Sequence, residues 1–141
     1  MKKNLAKVMA AAAMAVVLTT AVAANAQSSG RMKVNVPFNF VVENDRLPAG
    51  DYTIEKVANG RLRIQSSDGR TTATVLALRK QGKKTAEAAH FIFHHYGSEY
   101  FLANIWTPGQ ESGWELMQGR LEMELARKQS GPVETAELMG H

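Results

Sequence analysis

The sequence contains no cysteine. That excludes a disulfide framework, a thiolate metal centre and the acylated cysteine of a lipoprotein. Long apolar runs are nearly absent as well. The longest, Val8 to Ala23, covers about 16 residues, short of the roughly 20 needed to cross a hydrocarbon core. No other segment approaches that length, so no transmembrane span is expected after the N-terminal segment. Aromatic residues make up only 7% of the chain. Five of them, Tyr96, Tyr100, Phe101, Trp106 and Trp114, gather near one predicted hairpin and the segment after it.

The N-terminus carries the plainest signal. Met1 to Lys7 is short and basic, Val8 to Ala23 is uncharged and alanine-rich, and Ala24-Asn25-Ala26 places small residues before Gln27. That order is a secretory signal peptide with an A-x-A cleavage site. Cleavage after Ala26 is expected, with the mature chain in the periplasm or secreted. Three of the 17 basic residues, Lys2, Lys3 and Lys7, and none of the 13 acidic ones lie in the signal, so the net charge falls from +4 to +1 on cleavage. The basic balance therefore gives no support to nucleic-acid binding. Residues 27–141 suffice for one small core-stabilised domain and not for two.

After a polar lead-in at 27–32, Val34, Val36, Phe38, Phe40 and Val42 alternate with Lys33, Asn35, Pro37, Asn39 and Val41. Period two with one apolar face predicts a half-buried strand, at an edge or bulge because Pro37 cannot donate to a ladder. Glu43 to Arg46 reads as a polar loop and Leu47-Pro48-Ala49-Gly50 as a turn. Asp51 to Val57 is the next strand. A three-residue loop, Ala58-Asn59-Gly60, sets Ile54 opposite Ile64 and Glu55 opposite Arg63, keeping apolar against apolar. A type I′ turn at Asp68-Gly69 sets Ile64 opposite Ala73 and Leu62 opposite Val75, with Arg61, Arg63 and Arg70 on the wet side. A basic loop is expected from Arg79 to Glu87. His90 to Tyr96 and Glu99 to Trp106 form a central hairpin around a type II′ turn at Gly97-Ser98, with Phe93 opposite Leu102 and His94 opposite Phe101. Ser112 to Met117 fits no single pattern. The 118–129 segment, rich in Leu, Glu, Met, Ala, Arg and Lys, predicts a helix stopped by Gly131-Pro132. The 130–141 segment reads as a loose tail. The whole predicts a single all-β domain at 33–117, an antiparallel sandwich or small barrel of six to seven strands, with a short C-terminal helix.

Val34-Asn35-Val36-Pro37-Phe38-Asn39-Phe40 and Leu47-Pro48-Ala49-Gly50-Asp51-Tyr52 carry V-P-F-x-F and L-P-A-G-x-Y motifs. Together with Phe93-His94-His95-Tyr96-Gly97 and Trp106 to Gly113, they resemble small secreted bacterial proteins of unassigned function. The resemblance spans roughly Val34 to Leu125 and implies a secreted or envelope β-protein. It implies no activity. The L-P-A-G-x-Y turn alone is also similar to one in transthyretin-like sandwiches.

No catalytic set is visible. His90 and His94 share a strand face but sit about 13 Å apart, too far for one ion, and His95 points the other way. Ser98 is a turn residue, and Gly109 to Gly113 lacks the G-x-S-x-G spacing of a nucleophile elbow. Glu43, Asp45 and Asp51 read as solvated loop acids. No metal or cofactor is expected. The sharpest local signal is Arg79-Lys80-Gln81-Gly82-Lys83-Lys84, four cations in six residues. With Arg61 and Arg63 it is a candidate surface for an anionic envelope component, or else a solvated loop that guards strand edges. Tyr100, Trp106 and Trp114 are a candidate aromatic pocket, or ordinary core. Three functions stay open: a non-catalytic binding or structural module, a small-ligand barrel, and a hydrolase using His94 or His95 with Glu99.

Overall fold

A computed structural model describes residues 30–141, so the predicted signal peptide lies outside the described residues. The described chain is all-β with one short helix. Its strands are β1 (Arg31–Val36), β2 (Phe40–Val42), β3 (Asp45–Leu47), β4 (Gly50–Ala58), β5 (Arg61–Ser66), β6 (Thr72–Gln81), β7 (His90–Tyr96), β8 (Glu99–Trp106), β9 (Ser112–Leu116) and β10 (Glu134–Met139), with helix α1 (Arg120–Lys128) between the last two. Ten strands thus replace the expected six to seven. They form one mixed sheet in the order β1-β4-β5-β6-β9-β8-β2-β3, with β7 also beside β8 and β10 beyond β7. All pairings are antiparallel except β2 with β8.

One sheet can bury a single core only by curling on itself. Inward-facing residues of β1, β4, β5, β6, β7, β8 and β9 meet in one cluster, centred on Val34, Tyr52, Ile54, Ile64, Val75, Phe91, Phe93 and Ile105. The sheet is not closed. Its β1 edge is joined to the residues just after β10, where Lys33 and His141 exchange backbone hydrogen bonds of 2.9 Å in both directions.

The predicted registers hold. Ile54 faces Ile64 and Glu55 faces Arg63; Ile64 faces Ala73 and Leu62 faces Val75; Phe93 faces Leu102 and His94 faces Phe101. Apolar pairing decides register because a one-residue slip would turn every side chain to the other face. Turn details differ. Ala58 pairs with Arg61, so the loop is Asn59-Gly60 and the extra residue becomes a bulge between Lys56 and Ala58. At the second hairpin only Gly69 has positive φ, which excludes type I′. Gly97 alone is positive at the third, the II′ pattern.

Five segments depart from expectation. Of the polar loop expected at Glu43 to Arg46, Asp45 and Arg46 belong to β3, paired with β2. The first strand breaks at Pro37 into β1 and β2, since Pro37 has no N–H to donate. Arg79 and Lys80 belong to β6, so the basic loop begins at Gly82. Ser112–Leu116 is a strand, joined to both β6 and β8. The expected loose tail forms β10, paired with β7 along its whole length. Its half-buried Ala136 and Leu138 alternate with exposed Glu137 and Met139, a weak pattern that only the neighbouring strand makes stable.

The two sequence motifs meet in space. Ala49 N–H donates to Asn39 Oδ1 (3.0 Å), Tyr52 O–H donates to the Pro48 carbonyl (2.6 Å), and the Phe40 and Tyr52 rings meet edge to face at 5.1 Å. V-P-F-x-F and L-P-A-G-x-Y here are parts of one packed corner.

Candidate binding groove

The β6–β7 loop, 82–89, and the β8–β9 loop, 107–111, are laced together. Gly82 N–H donates to Glu111 O (2.7 Å), Ala86 N–H to Gln110 O (3.1 Å) and Gly109 N–H to Ala86 O (2.8 Å). Between this frame and the outer face of β7, β8 and β10 lies a groove of about 570 Å³. Its lining includes Lys83, Lys84, Ala86, Glu87, His90, Ile92, Trp106, Glu137 and Met139. That volume falls within the ~300–1,000 Å³ of small-ligand sites.

Trp106 is the fixed part of the floor. It pairs across the sheet with Gly113, and a Cβ on Gly113 would stand 2.6 Å from Trp106 Cε3. A Cβ on Gly82 would stand 3.0 Å from Cζ3 of the same ring. Both glycines therefore leave room for the indole to lie against the backbone. Lys83 and Lys84 are exposed on the rim, and neither has a carboxylate partner among the described residues. Glu137 is already engaged by His90 Nδ1.

The other predicted site residues lie elsewhere. Arg61 is exposed on the outer face of β5, opposite Leu76. Arg63 is tied to Glu55, which also takes Arg31 Nε at 3.0 Å. The hydrogen bond from Arg63, with the charges of Arg63 and Arg31, holds the Glu55 carboxyl below its usual range. Arg79 stacks on the Trp114 ring with its guanidinium 4.9 Å from the centroid, and Lys56 reaches the same ring at 5.7 Å. Lys80 pairs with Glu115 at 3.3 Å. The predicted cationic surface is thus divided, with only Lys83 and Lys84 at the groove.

The three aromatic candidates are divided too. Trp114 opposes the core residue Ile105 while Trp106 opposes Gly113, so the two indoles take opposite faces. Tyr100 is stacked between Phe38 and His95, with ring centroids 3.9 and 4.1 Å away.

Family models, curated proteins and solved structures give no match to this chain. What its site can do rests on its own geometry.

A second polar cluster was not legible in the sequence. Leu121 and Leu125 of α1 pack on Val41, Tyr96 and Phe101, on the outer side of β2, β7 and β8. This buries Glu122, whose side chain is 4% exposed. Its Oε2 lies 2.7 Å from His94 Nδ1, 3.2 Å from Tyr96 Oη and 3.1 Å from Gln118 Nε2. Burial first, then the charge of Glu122 and the hydrogen bond to it, push the Tyr96 hydroxyl up to about 12. The turn before β3 supports the helix start, with Asn44 Oδ1 accepting from Arg120 N–H at 3.1 Å. His94 is thus turned toward α1, and His95 lies 3.5 Å from Glu134 of β10. Glu99, the expected histidine partner, is held by Arg46 at 3.0 Å.

Proposed function

We propose that this chain is an exported, non-catalytic binding module of the bacterial envelope, and that it holds an anionic envelope component in the Trp106 groove. One observation carries this reading. Of the cations and aromatics prominent in the sequence, Lys83, Lys84 and Trp106 share one preformed groove. Export rests on the N-terminal signal pattern, and the resemblance to small secreted bacterial proteins agrees with it. Among the described residues no helix is long and apolar enough to cross a membrane.

The geometry gives no support to the hydrolase pairing of His94 or His95 with Glu99, because His94 and His95 face Glu122 and Glu134 and Glu99 faces Arg46. The small-ligand reading survives in altered form: the groove lies on the outer face of the sheet, away from the core. Retention of the exported chain on anionic vesicles and on immobilised polygalacturonate across a salt series tests the proposal. Retention at low ionic strength that falls toward physiological salt is expected, since exposed charges are screened beyond about 8–10 Å. Absent or salt-independent retention on both matrices contradicts it.

A further inference from the structure

Resting on the binding reading above, we infer that the groove is built for an acidic saccharide, a sugar ring whose carboxylate or phosphate is held by Lys83 and Lys84 while its apolar face lies on Trp106. The ring platform is specific. Gly113, directly across the sheet from Trp106, has no side chain to lift the indole off the backbone. Gly82 leaves the same clearance at the ring edge. A planar aromatic surface of this kind complements the C–H face of a pyranose. Ile92, opposite Asn104 on the same outer face, and Met139, opposite His90, extend the apolar floor.

The rim supplies the complementary charge. Lys83 and Lys84 are exposed and lack a carboxylate partner among the described residues, so an incoming anion displaces no existing ion pair. The rim thus offers two lysines free of carboxylate partners beside the exposed Glu87, while Glu137 is already engaged on the floor by His90. The acids and His90 leave polar partners for hydroxyls, which a hydrocarbon tail would leave unsatisfied. A purely lipidic ligand fits this lining less well.

Intrinsic tryptophan fluorescence of the exported chain, titrated with a short oligogalacturonate, tests the inference. Maltotriose serves as the neutral sugar, inorganic phosphate as the bare anion and anionic phospholipid vesicles as the lipid. Saturable quenching by the oligogalacturonate is expected for the parent chain, with affinity, read by calorimetry, weakened at least tenfold for Trp106→Ala and for Lys83→Gln/Lys84→Gln. Phosphate and maltotriose should each bind at least tenfold more weakly than the acidic sugar. Trp106→Phe keeps an aromatic platform and should retain most of the affinity, as read by calorimetry, which guards against a misfolded alanine variant. Binding of vesicles with no response to the acidic sugar overturns the saccharide assignment and leaves the module reading standing. Binding of none of the probes overturns both. Acidic-sugar binding unaffected by both Trp106→Ala and the lysine pair would place the site elsewhere and overturn the inference.

Discussion

Replacing Glu122 by alanine should cost this protein a large part of its stability, although nothing in the local sequence marks the residue. Three polar groups converge on its Oε2: His94 Nδ1, Tyr96 Oη and Gln118 Nε2. Tyr96 is buried and His94 half-buried, so water can recover only part of what the substitution removes. A hydrogen bond to a charged group contributes about 1.5–3 kcal/mol, and breaking a buried charged cluster by removing one member costs about 3–5 kcal/mol. With one exposed partner able to rehydrate, about 3 kcal/mol is expected, against a total of roughly 5–15 kcal/mol for a domain. In urea, with a slope of about 1–3 kcal/mol/M, that moves the midpoint down by about 1–3 M. Hydrogen exchange of the 120–128 amides should accelerate first, because the cluster joins α1 to β7. Glu122→Gln retains an acceptor and should lose about half as much. A Glu122→Ala midpoint within about 0.2 M of the parent chain would refute the reasoning, since the cluster would then contribute less than about 0.6 kcal/mol at the slopes above.

Tyr96 gives a pH signature for the same cluster. Its folded-state value of about 12 lies above the ordinary 10, so its contribution to stability is intact below pH 10 and is lost as pH rises through about 12. Spectrophotometric titration of the 3 tyrosines should show a phenol titrating late, and Glu122→Gln should bring it earlier by removing the neighbouring charge. Three ordinary titrations would contradict the burial of Tyr96. At the groove, Gly113→Ala should destabilise by about 1–3 kcal/mol, because its methyl would meet both Ile105 O and the Trp106 ring. The midpoint loss should be accompanied by a shift in tryptophan emission, and a neutral effect would mean that Trp106 does not rest where the geometry puts it.

Three hairpin registers were readable because each rests on local apolar pairing between segments close in sequence. Helix α1 was readable from composition. What stayed hidden depends on partners distant in the chain. Ala136 and Leu138 form a strand because β7, some 40 residues earlier, offers its edge. Ser112–Leu116 is fixed by β6 and β8 together. Nothing in the sequence sets Glu122 apart from Glu124 two residues later. Only the docking of Leu121 and Leu125 on Phe101 buries Glu122, and only the β7 register brings His94 and Tyr96 beneath it. The candidate site was half legible. Lys83, Lys84 and Trp106 were each singled out by residue type, but the strand that carries Arg79 and Lys80 away from them could not be delimited from a run of charges. The pairing that sends Trp114 to the opposite face from Trp106 was equally invisible before the sheet order was known.

The central claim is that anion binding belongs to the groove and not to basic residues at large. The most direct test is the retention assay at low ionic strength, on anionic vesicles and on immobilised polygalacturonate, run on two charge-matched variants. Lys83→Gln/Lys84→Gln removes the groove cations, and Arg61→Gln/Arg63→Gln removes the same charge from the outer face of β5. Lost retention for the lysine pair with retention preserved for the arginine pair is the predicted result. Equal losses for both pairs, or a loss confined to the arginine pair, would contradict it.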